Sequence, residues 1–231
     1  MPRRVVLKLS GETLCQDNLS ISSAALEKTA GQIKTALTEY PTELAIVIGA
    51  GNLWRGAKQN MDRVWSDKIG MLATLMNAMA LKNALSEAGL NAKVFCAKGV
   101  SEMVELYDQF AARDFLASGG VAVLAGGTGS PYFTTDTGAV LRAAELNAAQ
   151  VLKATQIDGV YTDDPKKNPQ AKKFDKLTFS QALAKHLKIM DETAFALCME
   201  TNIEILVFDF YKAGNLSLAL SGGQVGTLVT K

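Results

Sequence analysis

The segment Gly126-Gly127-Thr128-Gly129-Ser130-Pro131-Tyr132-Phe133-Thr134-Thr135-Asp136-Thr137 stands between an apolar run and an amphipathic one. Before it, Val121-Ala122-Val123-Leu124-Ala125 reads as a buried strand. After it, Asp136 to Asn147 reads as a helix. A glycine-rich turn therefore leads from a strand end onto a helix start, and it carries hydroxyls and two aromatics. Glycines let a backbone approach a ligand closely. A helix N-terminus offers N–H groups and positive potential to an anion. Open α/β sheets bind ligands at the carboxyl ends of their strands. The combination points to a pocket for a phosphorylated small molecule.

Outward from this turn the same alternation repeats. Val5 to Leu9, Leu44 to Ile48, Ala92 to Cys96, Gly120 to Ala125, Gln150 to Ala154, Glu204 to Phe208 and Thr227 to Thr230 are strand-like apolar runs. Ser23 to Tyr40 sets Leu26, Ala30, Ile33 and Leu37 on one helical face. Ser66 to Ala88 does the same with Ile69, Leu72, Met76, Met79 and the neighbouring Ala80, and Gly89 is its stop. Glu102 to Ala112, Asp136 to Asn147 and Asp191 to Thr201 are further predicted helices. Near-continuous apolar strands alternating with helices predict a mainly parallel sheet covered on both faces. The polar stretch Asp163 to Lys176, with Asp164-Pro165 and Asn168-Pro169, reads as a surface loop.

Bulk properties exclude more than they assign. The 231 residues are 48% hydrophobic and 20% charged, with a net charge of +1, which suits one α/β domain over residues 1–231. Such a balance gives no reason to expect nucleic acid or an acidic membrane surface as partner. No apolar run is long enough to span a bilayer, and Met1-Pro2-Arg3-Arg4 lacks the pattern of a secretory leader. Cys15, Cys96 and Cys198 are odd in number and far apart, so neither a disulfide framework nor a metal cluster is expected. The expected compartment is the cytoplasm. His186 is the lone histidine, which leaves no material for a histidine-based triad or metal centre.

Two other strand ends carry suspicious turns: Lys8-Leu9-Ser10-Gly11-Glu12 and Gly49-Ala50-Gly51-Asn52-Leu53-Trp54-Arg55-Gly56. Neither is a P-loop, because no Gly-Lys-Ser/Thr closes the required spacing, and neither is a dinucleotide fingerprint. Each alone is a plain structural device. Three at the same kind of position, two with a cation (Lys8, Arg55), match what phosphoryl transfer asks of a protein. That chemistry needs cations and backbone donors aimed at the charge on the moving group.

These turns, together with Asp67-x-x-Gly70-Met71-Leu72-Ala73-Thr74 and Leu152-Lys153-Ala154-Thr155-x-x-Asp158-Gly159-Val160-Tyr161, resemble the bacterial uridylate (UMP) kinases, a branch of the amino acid kinase superfamily. The resemblance runs in order from about Val5 to Val229, and Lys188-Ile189-Met190-Asp191 and Gly226-Thr227-Leu228-Val229 extend it. It implies a three-layer αβα sandwich with a mainly parallel central sheet, the amino acid kinase or carbamate kinase-like fold. Its N-terminal part would mainly bind UMP, and the part from about residue 150 would mainly bind ATP. It implies transfer of the γ-phosphoryl group of ATP to UMP with Mg²⁺, giving UDP and ADP in pyrimidine nucleotide synthesis. A cytoplasmic homohexamer and feedback inhibition by UTP are further family expectations.

The resemblance also implies roles. Lys8, Arg55, Asp136 and Asp191 would be catalytic. Lys8, Leu9, Ser10, Gly11, Gly51, Arg55, Thr155, Tyr161 and Asp164 would bind ATP. Ala50, Asp67, Thr128, Gly129, Ser130, Pro131, Tyr132, Phe133, Thr134 and Thr135 would bind UMP, with Asp67 on the ribose hydroxyls and the Thr134 and Thr135 hydroxyls on uracil or phosphate. Plainer alternatives stand beside these: core packing for Tyr132 and Phe133, a surface ion pair for Arg55, a helix cap for Asp136, and for Asp191 either a cap or a partner of Lys8. Lys153 lies on the same strand end with no firm role. His186 reads as a surface residue.

This chain departs from the pattern at three places, one of them the loop that reaches Met61-Asp62-Arg63-Val64, which is shorter than is common. Ala50 replaces a usual glycine, a mild change if φ is negative there. The segment Thr13 to Ile21 is short and holds no glycine where many relatives carry a glycine-rich segment associated with activation by GTP, so GTP activation is not expected. Sister kinases of acetylglutamate or carbamate, and non-catalytic binders of ATP and oxyanions, are the rival readings. Asp67 with the Thr134-Thr135 pair favours a ribonucleotide acceptor over the first group. The intact phosphate-facing cations speak against the second.

Overall fold

The computed structural model describes residues 3–17, 20–56, 59–100, 102–187 and 189–231. Lys188 of the Lys188-Ile189-Met190-Asp191 motif, Asn18 and Leu19 of the shortened segment, and Met1 and Pro2 lie outside the described residues.

Among the described residues nine strands form one sheet in the order β4-β3-β5-β2-β1-β6-β10-β11-β9. They are β1 (Arg4–Leu9), β2 (Glu43–Ile48), β3 (Ala92–Cys96), β4 (Glu105–Leu106), β5 (Val121–Ala125), β6 (Gln150–Thr155), β9 (Lys176–Thr178), β10 (Glu204–Asp209) and β11 (Thr227–Thr230). Every neighbouring pair is parallel except β10 with β11. A separate antiparallel hairpin joins β7 (Val160–Tyr161) to β8 (Lys173–Phe174).

Helices cover both faces because successive strand residues point opposite ways. Val5, Leu7 and Leu9 of β1 share one core with Leu44, Ile46 and Ile48 of β2. That core is closed by α1 (Ser23–Glu39), α2 (Arg63–Glu87) and α7 (Asn215–Ser221) through residues such as Ile33, Leu81 and Leu216. Val6, Ala45 and Val47 point to the other core. There α3 (Gln109–Ala117), α4 (Thr135–Glu145), α5 (Phe179–Ala184) and α6 (Glu192–Thr201) contribute Leu116, Val140, Phe179 and Phe195. The result is the three-layer αβα arrangement expected from the strand pattern.

Three local expectations are corrected. Glu102 to Asp108 is not helical, although Gln109 to Ala112 is. Asp108 is an N-cap whose Oδ1 accepts from the N–H groups of Phe110 and Ala111, so α3 starts at Gln109, and Glu105–Leu106 extends the sheet as β4. The polar stretch ending at Lys176 is not wholly loop, since Lys173–Phe174 pairs back onto Val160–Tyr161 and Lys176 opens β9. The face of α2 also differs from the one periodicity selected. Ala73, Leu75, Ala78, Leu81 and Leu85 are buried, whereas Leu72 and Met76 are 57% and 56% exposed. Both stripes are apolar, and the alanine-rich one lets the helix approach the sheet more closely. Asp62 caps this helix by accepting from Val64 and Trp65, which moves its start a turn earlier than predicted.

Thr227 on β11 ties the hairpin to the sheet. It is fully buried, its Oγ1 accepts from the Val160 N–H at 2.8 Å, and its hydroxyl donates to the Phe174 carbonyl. Thr227→Val keeps the shape and leaves both partners unpaired. The variant is expected to lose about 1–3 kcal/mol in urea unfolding. An unchanged midpoint would show that the hairpin is not anchored there.

Candidate active site

The carboxyl ends of β1, β2, β5 and β6 bring the glycine turns together. Because β1 and β6 are parallel neighbours in register, Lys8 and Lys153 are direct partners and project to the same face. Asp136, in the first turn of α4, lies between them. Its Oδ1 is 2.6 Å from Lys8 Nζ, and its Oδ2 accepts from Lys153 Nζ at 2.6 Å. Lys153 also donates to the Ile189 carbonyl. Two ammonium groups thus converge on one carboxylate, and Asp191 adds a second negative charge within reach of Lys153.

Burial pushes the Asp136 carboxyl up, but Lys8 and Lys153 outweigh it and hold the group below its ordinary range. Burial is also the leading influence on Lys153, and with the like charge of Lys8 it lowers that ammonium despite the opposing pull of Asp136.

Beside this triad lies a cavity of about 320 Å³. Ala50, Asp67, Thr128, Ser130, Phe133, Thr134 and Thr135, all expected at the acceptor site, line it with Trp54, Arg63 and Thr74. Gly126, Gly127 and Gly129 have φ of +80°, +57° and +82°, which side-chain-bearing residues rarely adopt. Gly138 lets α4 pack against this turn, since a Cβ there would lie 3.2 Å from Gly127 backbone. The Gly126 N–H donates to Thr74 Oγ1 at 2.8 Å, and buried Arg142 donates to the Gly127 carbonyl at 3.0 Å. Asp67 accepts from Arg63 Nε at 2.9 and 2.8 Å and from the Tyr132 N–H at 2.7 Å. Tyr132 and Phe133 are 66% and 47% exposed, so core packing does not account for them. Gly129, Pro131 and Tyr132 belong to the same turn and do not line the cavity itself.

The other two turns meet through backbone. The Gly49 N–H donates to the Leu9 carbonyl at 2.9 Å, and Ser10 caps the short 3₁₀ turn Gly11–Leu14. Ala50 stays out of the left-handed region, so its methyl group costs no strain. Beyond Gly51, whose carbonyl accepts from Arg55 Nε at 2.9 Å, Arg55 forms an exposed ion pair with Glu12.

Several expected roles change. Asp191 does not pair with Lys8. It caps α6 by accepting from the Ala194 N–H at 3.0 Å, and it takes the hydroxyls of Thr137, at 2.7 Å, and Thr134. Asp136, closer to Lys8 on α4, fills the place of ion partner. Asp136 is not the cap of α4; Thr134 is, accepting from the Asp136 and Thr137 N–H groups. Its hydroxyl is so engaged, and Thr134 borders the cavity beside Thr135. Thr155, Tyr161 and Asp164 stand apart from the cavity. Thr155 Oγ1 donates to the Ile157 carbonyl at 2.5 Å, Tyr161 donates to Asp158 at 2.7 Å, and Asp164 accepts from the Lys166 N–H at 3.0 Å. His186 is exposed at the rim of a second hollow, about 570 Å³, that Asp136, Lys153 and Asp191 also border. Lys153, which the structure joins to Lys8 and Asp136, is the residue that sequence reasoning left without a role. The signal was present: Leu-Lys-x-Ser at Leu7 to Ser10 is echoed by Leu-Lys-x-Thr at Leu152 to Thr155.

Asp136 has a pH signature. Its folded pKa lies below its unfolded one, so the stability it contributes is complete above the unfolded value of 3.8 and is lost as pH falls through the lower folded value. Wild type should therefore exceed Asp136→Asn in urea midpoint at pH 6, and the gap should close as pH falls below about 4. A gap independent of pH would show that the carboxylate charge is not what matters.

Comparison with known proteins agrees with this geometry. The profile of the amino acid kinase family matches residues 3–209. A uridylate kinase of Rhodopseudomonas palustris strain CGA009 is 48% identical over 231 residues, covering 98% of this chain and 97% of that protein. The crystal structure of a UMP kinase from Ureaplasma parvum superposes with a TM-score of 0.93 at 38% identity, covering 100% of both chains. A UMP kinase from Bacillus anthracis gives a TM-score of 0.94 at 34% identity, covering 100% of this chain and 97% of its own. Sheet order, clustered glycine turns and full-length similarity together place this chain in the amino acid kinase family, as a relative of the bacterial UMP kinases.

Proposed function

We propose that this phosphotransferase moves the γ-phosphoryl group of ATP to UMP, giving UDP and ADP in pyrimidine nucleotide synthesis. The observation that carries the reading is the Lys8–Asp136–Lys153 cluster beside a cavity that presents Asp67 and Thr135. The acceptor would be an anionic phosphate, so no general base is required. Catalysis then rests on positioning and on charge.

Lys8 and Lys153, held by Asp136, would face the transferring oxygens. Arg55 would leave Glu12 for the donor and acceptor phosphates, because an exposed ion pair is worth only about 0–1 kcal/mol. Asp67 would accept from the ribose hydroxyls while Tyr132 and Phe133 flank the nucleotide. Gly129, Ser130 and Pro131 shape that turn. Leu9, Ser10, Gly11 and Gly51 would offer backbone to ATP, and Thr155, Tyr161 and Asp164 would hold its adenosine. On this reading the N-terminal part serves UMP, and the part from about residue 150 serves ATP.

Among the described residues no group of three His, Cys, Asp or Glu gathers as a metal site. Asp136 and Asp191 are already engaged by protein donors. The triphosphate would therefore carry Mg²⁺, an ion that ordinarily keeps substrate phosphates and waters as ligands. When bound it would offset charge on the phosphate oxygens. The exposed stripe Leu72, Met76 and Met79 supports self-association, for which the homohexamer is the family expectation, as UTP inhibition is for regulation. No described helix is long and apolar enough to cross a membrane. The proposal places the enzyme in the cytoplasm, where its substrates are.

The test is a purified-protein assay with Mg-ATP and UMP, CMP, AMP or acetylglutamate. UDP is the expected product, and label passing to acetylglutamate instead would overturn the reading. Arg55→Ala should lower kcat on the order of 100-fold, since the charge it meets develops in the transition state. Asp67→Asn should mainly raise the UMP KM, because a ribose contact is similar in ground and transition states. Unchanged UMP binding in Asp67→Asn would remove that assignment.

A further inference from the structure

Asn77 is fully buried in α2, one helical turn beyond Thr74, yet it faces no ligand cavity. Its Nδ2 donates to the Gly49 carbonyl at 2.8 Å and to Asn52 Oδ1 at 2.7 Å. Asn52 Nδ2 donates back to Asn77 Oδ1 at 3.0 Å and to the Ser20 carbonyl at 2.7 Å. All the amide hydrogens of both side chains are thereby used. A fully satisfied buried polar network specifies one arrangement, whereas a half-satisfied one is costly.

The pair sits where two proposed phosphate turns touch. A Cβ on Gly11 would lie 2.1 Å from Asn52 Oδ1 and 2.8 Å from the Gly49 carbonyl oxygen. Glycine at 11 and the amide pair are thus two sides of one contact. Moving Asn52 would let the Gly49–Arg55 turn shift against the turn that follows Lys8.

We propose that Asn77 is a positioning residue for phosphoryl transfer. Acting through Asn52 and the Gly49 carbonyl, it sets the spacing between the turn after Lys8 and the turn that carries Arg55. This rests on the functional reading above. Neither residue touches the contacts of Asp67 or Tyr132, so the proposed ribose contact is separable from alignment.

The experiment compares Asn77→Ala, Asn52→Ala and the double variant, with kcat and the KM for UMP and Mg-ATP measured well below each unfolding midpoint. Asn77→Ala is expected to lower kcat about 10- to 100-fold, the scale of a small misalignment, while the UMP KM stays within about 3-fold of wild type. Asn52→Ala should lose less, because Gly49 keeps its donor, and the double variant should be no worse than Asn77→Ala, the non-additivity of groups acting as a unit. Wild-type kcat in a folded Asn77→Ala, additive losses, or a UMP KM rising in step with the fall in kcat would each overturn the proposal. Should Asn77→Ala not fold, Asn52→Ala decides alone, and wild-type kcat there overturns it. A wild-type chain that makes no UDP sinks the functional reading and this inference together, whereas the other failures sink this inference alone.

Discussion

Two lysines forced side by side are the constraint around which the molecule is arranged. Parallel register places Lys8 against Lys153 at the carboxyl ends of the central strands, where both are largely removed from water. Left alone, such a pair would repel, and each charge would pay for burial. Asp136 makes the pair tolerable, and it arrives from a helix that must start at that height above the sheet. The start of α4 is itself pinned by the Thr134 cap and by Asp191 from α6. Ion cluster and helix positions are consequently one problem with one solution.

Around the cluster the protein holds loops by polar contacts from neighbouring helices. Helix α2 reaches two turns by three contacts: Asp67 takes the Tyr132 N–H and Thr74 the Gly126 N–H of one, and Asn77 grips the Gly49 carbonyl of the other. Arg142 of α4, buried over the Tyr107 ring at 4.1 Å and paired with Glu145 at 2.5 Å, secures Gly127 from the opposite side. Glycine-rich turns can adopt many shapes, and these contacts select one. Long helices suit this work, because each presents several side chains from a rigid axis to loops far apart in sequence.

The same helix shows how apolar patterning can mislead. Its outer stripe is as hydrophobic as its inner one, so periodicity alone cannot say which faces the sheet. Packing chose the stripe with alanines, whose small side chains permit close contact, and left Leu72, Met76 and Met79 toward solvent.

Local chemistry was legible in the sequence wherever the cause is local. Continuous apolar runs marked the central strands, and glycines marked the turns that follow them. Residues 102–112 misled because an apolar rhythm gave no warning that Asp108 would cap a later start. What only the tertiary structure decided were the pairings between distant segments. Asp136 rather than Asp191 partners Lys8, Lys153 stands in register with Lys8, and Asn52 closes on Asn77. Each depends on strand order and helix height, and these arise from packing the two cores together rather than from any one stretch of chain.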